Sequence, residues 1–190
     1  MKKLTLIGIS ILVTAIFLLP ISALAGGSSD TCDTRYPIVL AHGMGFSATV
    51  FGAIDYWWGI PDALEDEGAN IYITSVNGMD STRNKAVDFK NQFLQIKAAT
   101  GASKLNIIAH SHGTIYTRDA ISNLGLSGYV ASHTSIAGPH RGSALGDMVV
   151  GIVPNSMEWL VGDTMDLVYT FLMGDSNPNS LDNAYDITRP

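Results

Sequence analysis

Charge is scarce in this chain. Only 15% of the 190 residues are Asp, Glu, Lys or Arg, and the 17 acids outnumber the 11 bases. No basic run occurs, which excludes a nucleic-acid binder, since that function needs a dense cationic face. Cysteine is nearly absent. The single Cys32 excludes an intrachain disulfide framework and a cysteine-rich zinc site. Ser29-Asp30-Thr31 lacks the Leu and small residues of a lipoprotein box, so Cys32 is a free thiol or pairs outside this chain. Internal repeats and linker-like stretches are missing, so one domain is expected. A hydrophobic content of 46% excludes collagen-like and disordered classes.

One long apolar run is present, at the start. Lys2 and Lys3 precede an almost wholly apolar Leu4 to Leu19, Pro20 breaks it, and Ala23-Leu24-Ala25 is a small-x-small cleavage pattern. Residues 1–25 therefore read as a secretory signal peptide. A retained anchor is the rival reading, but the run falls short of the ~20 residues a span needs. Export through the periplasm follows, with a secreted product and no membrane span in the mature chain. Residues 26–35 are polar and read as a mobile lead-in.

Alternation of strands and helices follows. Tyr36 to Ala41 is a short apolar run ending in Gly-rich His42-Gly43-Met44-Gly45. Pro61 to Gly68 predicts a short helix, and Ile71 to Ser75 a strand. Asp80 or Ser81 caps a helix to about Thr100, with Ala86, Phe89, Phe93 and Ile96 on its buried face. Lys104 to Ala109 predicts a strand, Thr114 to Asn123 a helix, and Tyr129 to Ile136 a strand closed by Ala137-Gly138-Pro139. This order argues for an α/β fold, a mostly parallel sheet with helices on both faces. Residues 36–146 form that core. Residues 147–190 differ: Met157, Leu160, Val161, Met165, Val168, Phe171 and Leu172 fall on one helical stripe, with Leu167 beside it. The stripe reads either as a core-facing helix or as part of a lid. The tail from Asp175 is polar, without a predicted strand or cap.

Chemistry concentrates at Ala109-His110-Ser111-His112-Gly113. This has the form of a nucleophile elbow with Ala for the first Gly, and it sits between a predicted buried strand and a predicted helix. A sharp strand-to-helix turn exposes the Ser hydroxyl, and small residues two before and two after let strand and helix pack closely. The helix N-terminus favours developing negative charge. His42-Gly43-Met44-Gly45 follows an earlier strand, where such folds supply one oxyanion-hole N–H; the other comes from the residue after the Ser, His112.

Four ordered motifs carry a resemblance. They are Tyr36-Pro37-Ile38-Val39-Leu40-Ala41-His42-Gly43-Met44, Tyr56 to Leu64, the elbow, and Ser135-Ile136-Ala137-Gly138-Pro139-His140-Arg141-Gly142-Ser143. Together they resemble the secreted bacterial triacylglycerol lipases of the Pseudomonas and Burkholderia type, which are α/β-hydrolases. The resemblance implies Ser111 as nucleophile and the Met44 and His112 N–H groups as oxyanion hole. It implies an ester or lipid substrate at a lipid–water interface, and a lipase-specific foldase as a partner. No cofactor is expected within this chain. The family's acid, His, calcium-binding acids and disulfide lie further toward the C-terminus, in sequence without counterpart here.

Departures from the family pattern set further expectations. The loop after Met44 is one residue shorter. No His follows His140, so the catalytic His and acid are expected to be absent, as in a C-terminally truncated lipase lacking its last strands and holding only part of its helical cap. The exposed edge of such a sheet predicts poor solubility. An improvised triad of Asp119 with His133 or His140 has the right order, but Asp119 lies ~12 Å along the helix from Ser111 and should point away. His133 is expected to bond locally, His42 and His110 to shape loops, and His140 to stay outside the triad. Two other readings remain: a non-catalytic remnant that binds lipid or a partner, and a short-chain esterase of the same fold.

Overall fold

The computed structural model describes residues 30–45, 49–50, 54–152, 155–173 and 178–189. The signal-peptide reading of residues 1–25 lies outside them, as do residues 26–29 of the lead-in. From Asp30 the lead-in is tied down: the Cys32 N–H donates to Glu67 O at 2.8 Å, and Cys32 is a free, half-buried thiol.

Four parallel strands form the main sheet in the order β4-β1-β5-β6, with β1 Ile38–Ala41, β4 Ile71–Thr74, β5 Leu105–His110 and β6 Val130–Ile136. A two-stranded antiparallel ribbon, β2 Thr49–Val50 with β3 Ile54–Asp55, lies between β1 and the short helix α1 Ile60–Glu65. β1 is buried along its whole length. Its alternating side chains feed two cores. Val39 and Ala41 join Leu105, Ile107 and Ala109 of β5 under α2 Thr82–Thr100 and α3 Gly113–Asn123, against Phe89, Phe93 and Tyr116. Ile38 and Leu40 face the other way, onto Trp57 and Ala69. Burying each of Phe89 and Phe93 contributes roughly 1.5–3 kcal/mol. Ser81 caps α2 by accepting from the Asn84 N–H at 3.3 Å, and Gly101 ends it at φ 66°.

The sheet is mostly parallel and flanked by helices, as expected. At its β6 edge Ala131, Ser132, Thr134, Ser135 and Ile136 are exposed, and among the described residues no strand pairs with the outer side of β6. One expectation is corrected. The polar tail does carry a cap: Asn179 Oδ1 accepts from the Asp182 N–H and Asn179 Nδ2 donates to the Asp182 carboxylate, starting helix α6 Ser180–Tyr185. The two intervening helices are α4 Ala144–Ile152 and α5 Glu158–Met173. The change of texture at Asp147 thus falls inside α4.

Candidate active site

Ser111 stands at a left-handed bend, φ 54°, between the end of β5 and the start of α3. A side chain in this conformation costs ~1 kcal/mol or more and persists only where the surroundings fix it. Here the Ser111 N–H donates to Ile136 O of β6 at 2.9 Å. The Thr114 hydroxyl and amide both donate to Ser111 O, at 2.7 and 3.1 Å. Close packing does the rest. A Cβ on Gly113 would sit 2.6 Å from both Ala41 O and His42 O, and one on Gly43 would sit 3.0 Å from Ser111 Cβ. The Gly-rich loop after β1 therefore lies directly against the serine. Ser111 itself is half-buried, neither sealed nor fully exposed.

Around the two expected oxyanion donors lies a buried polar network. Among the described residues, neither the Met44 nor the His112 backbone N–H is taken by an internal acceptor. The His42 ring donates from Nδ1 to Gly43 O at 2.9 Å and accepts at Nε2 from the Val76 N–H at 3.0 Å; the amide can only donate, so the ring is neutral with its proton on Nδ1. Burial holds its pKa down at about 4, with the Lys85 charge adding to the effect. The His112 ring accepts at Nδ1 from Lys85 Nζ at 3.1 Å, so its proton sits on Nε2, facing Thr82 Oγ1 at 2.8 Å. Burial, then Lys85 and His42, hold this ring at about 3. Tyr116 donates to His42 O at 2.9 Å, and Tyr56 accepts from the Gly43 N–H at 3.0 Å while bonding His110 Nδ1 at 2.5 Å.

Lys85 is the principal residue that sequence reasoning missed. Its ammonium is 1% exposed and also donates to Gly78 O at 2.8 Å and to Asn183 Oδ1 at 3.0 Å, tying α6 to the site. A signal was available: Lys85 lies four residues before Phe89 and eight before Phe93, on the buried stripe of α2.

A family model described as alpha/beta hydrolase fold matches residues 36–164. The chain belongs to this family. It is 40% identical over 153 residues to a triacylglycerol lipase of Vibrio cholerae, covering 77% of this chain and 47% of that protein. It is 35% identical over 133 residues to a triacylglycerol lipase of Burkholderia plantarii, covering 68% of this chain and 37% of that one. The chain thus spans about half or less of the length of these relatives. Among solved structures, Bacillus licheniformis lipase BlEst2 in mature form superposes with a TM-score of 0.57 at 20% identity, over 80% of this chain and 54% of that one. The metagenomic carboxyl esterase MGS0156 gives 0.56 at 16% identity, over 90% and 47%. These two share the fold.

The remaining histidines are engaged elsewhere. His133 donates from Nε2 to Thr117 Oγ1 at 2.9 Å, because that hydroxyl spends its own proton on Gly113 O. His140 bonds Arg118 at Nδ1 and Ser135 at Nε2. Asp119 pairs with Arg83 at 3.2 Å. His110 packs edge-on against Trp57. None of the five histidines is hydrogen-bonded to Ser111, and Asp119 with His133 or His140 forms no triad. Among the described residues no three His, Cys, Asp or Glu side chains gather to hold a metal ion.

Beside Met44 lies an apolar cavity of about 200 Å³ walled by α4, α5 and α6, including Val161, Met165, Leu181 and Ile187. The apolar stripe is not fully core-facing: Met157, just before α5, and Leu160, Val161 and Met165 on it are exposed, as are Leu167 beside the stripe and Trp159 outside it. The side chains of Val168, Phe171 and Leu172 lie outside the described set.

Proposed function

We propose that this chain carries the nucleophile and oxyanion half of a secreted triacylglycerol lipase. One observation carries the reading: Ser111 is held at φ 54° with the Gly43–Met44 loop packed against it. Ser111 Oγ attacks the ester carbonyl carbon, its proton passes to an imidazole, and the carbonyl oxygen becomes an oxyanion received by the Met44 and His112 N–H groups. Donors of this kind are fixed before the charge forms, and losing one typically costs about 3 kcal/mol of transition-state stabilisation. Collapse expels the alcohol with that proton and leaves an acyl-enzyme, which water hydrolyses by the same route. The apolar cavity beside Met44 suits an acyl chain. The imidazole and its acid partner come from sequence outside these 190 residues, as does any calcium site. Export by the leader at residues 1–25 and folding with a dedicated foldase belong to the same reading.

A second reading is favoured by the engagement of all five histidines away from Ser111. In it, the chain binds lipid without turning it over. A fluorophosphonate probe on a longer chain that carries a downstream acid and His separates the two. Labelling that is lost in Ser111→Ala supports an activated serine, and no labelling above that control leaves the binding reading. Parallel assays on short-chain and long-chain triacylglycerols decide between a lipase and a short-chain esterase.

A further inference from the structure

A second cleft, of about 280 Å³, lies between α3, the loop after β6 and the C-terminal strap. It is lined by Ile115 and Arg118 from α3, Pro139 to Gly142 from the loop, and Asp186, Thr188 and Arg189 from the strap. Three segments distant in sequence build it, and backbone bonds hold them. The Ser143 N–H donates to Ile187 O at 2.8 Å, and the Gly142 N–H to Pro139 O at 3.0 Å. The strap crosses Gly142 so closely that a Cβ there would meet Thr188 O at 2.3 Å.

Its charge is unusual for so acidic a chain, whose net charge is −6. Arg118, Arg141 and Arg189 all face the cleft. Arg189 is paired with Asp147. Arg118 spends one donor, at 3.0 Å, on His140 Nδ1. A guanidinium cannot accept, so this imidazole is neutral and leaves the Arg118 charge uncompensated. Among the described residues neither Arg118 nor Arg141 has a carboxylate partner. The one acid lining the cleft, Asp186, has Oδ2 turned to the Thr82 N–H at the start of α2. Two guanidiniums without counter-ions form the donor set that planar or tetrahedral oxyanions require; His140, with Nδ1 facing Arg118 and Nε2 facing Ser135, adds no free donor.

We propose that this cleft binds a phosphate group, supplied by the headgroup of an anionic phospholipid. Ile115 on its wall is one helical turn from Ser111, so the cleft opens near the same end of the sheet as the serine. A phosphate held here anchors the hydrolase at an anionic lipid surface. The inference concerns binding only and stands apart from the reading of Ser111.

The test uses the purified chain, inorganic phosphate followed by titration calorimetry, and sedimentation with vesicles of phosphatidylglycerol or of phosphatidylcholine. The double variant R118Q/R141Q should weaken phosphate binding at least tenfold and abolish sedimentation with phosphatidylglycerol. K90Q/K104Q, which removes the same charge elsewhere, should change neither, and Ser111→Ala should bind as the parent does. Equal phosphate affinity in the parent and R118Q/R141Q overturns the site. Loss of phosphate binding with unchanged vesicle sedimentation overturns the lipid headgroup as its source. The single variant R141Q, at an exposed side chain, supplies the same comparison should the double variant not fold, with a weakening of severalfold expected.

Discussion

The two flanks of Ser111 differ in kind. On the Met44–His112 flank, His42, Lys85, His112 and Tyr116 are all at most 1% exposed, and their donors and acceptors interlock around the two amides. On the β6 flank, Ser135 and His140 are exposed and bonded to each other. On the proposed reading, the first flank receives the negative charge, around β1, β5 and α2. The second is an open face whose imidazole, His140, is bonded to Arg118 and Ser135. The same reading takes the proton-transferring group from outside both flanks.

The contrast is broken most severely by filling the closed flank. Gly113→Ala drives a Cβ into two backbone oxygens and should cost about 3 kcal/mol or more in a urea melt. Ser135→Ala on the open flank should stay within about 0.5 kcal/mol. Similar costs for the two would erase the distinction.

Lys85→Met ranks next. It leaves Asn183 Oδ1 and His112 Nδ1 without their donor, while Gly78 O keeps the bonds from the Gly45 N–H at 3.0 Å and from Asn183 Nδ2 at 3.3 Å. A loss of about 2–3 kcal/mol is expected by the same melt. A change under 0.5 kcal/mol would show that the ammonium does not hold the flank together.

Acid should act on the closed flank too. His42 and His112 have folded pKa values lowered to about 4 and about 3, from the 6.5 of an ordinary imidazole. The unfolded chain therefore takes up protons first as pH falls. Stability should be full above pH 6.5 and then decline by about 1.4 kcal/mol per pH unit for each ring, until the folded rings protonate near pH 4 and pH 3. Because the Lys85 charge lowers both values, Lys85→Met should flatten that decline. Melts from pH 7 to pH 4 measure it, and a flat profile in the parent would place these rings in water.

Smaller effects sharpen the picture. Ser111→Gly relieves the left-handed strain and should raise stability by up to about 1 kcal/mol. A drop of that size would mean that the bend is not strained. Leu167→Asp, at an exposed position, should move stability by less than about 0.5 kcal/mol.

Much of the closed flank was legible in the residues. Short apolar runs marked β1 and β5, the steps from Ala86 to Phe93 marked the buried face of α2, and small residues flanking Ser111 marked the elbow. All of these are local patterns. The roles of Lys85 and Asn183 were not legible, because their meeting spans 98 residues and depends on a helix whose Asn179 cap lay in an apparently featureless tail. The exposure of α5 was also hidden, since an apolar stripe looks the same whether it faces a core, a cavity or water.

The central claim is that Ser111 faces an oxyanion hole made by the Met44 and His112 amides. A crystal structure of the phosphonylated protein tests it most directly. The account predicts phosphorus on Ser111 Oγ, with the phosphoryl oxygen about 3 Å from both backbone nitrogens. An adduct whose oxygen turns to solvent or to the β6 side, or phosphonylation at a different residue, would contradict it.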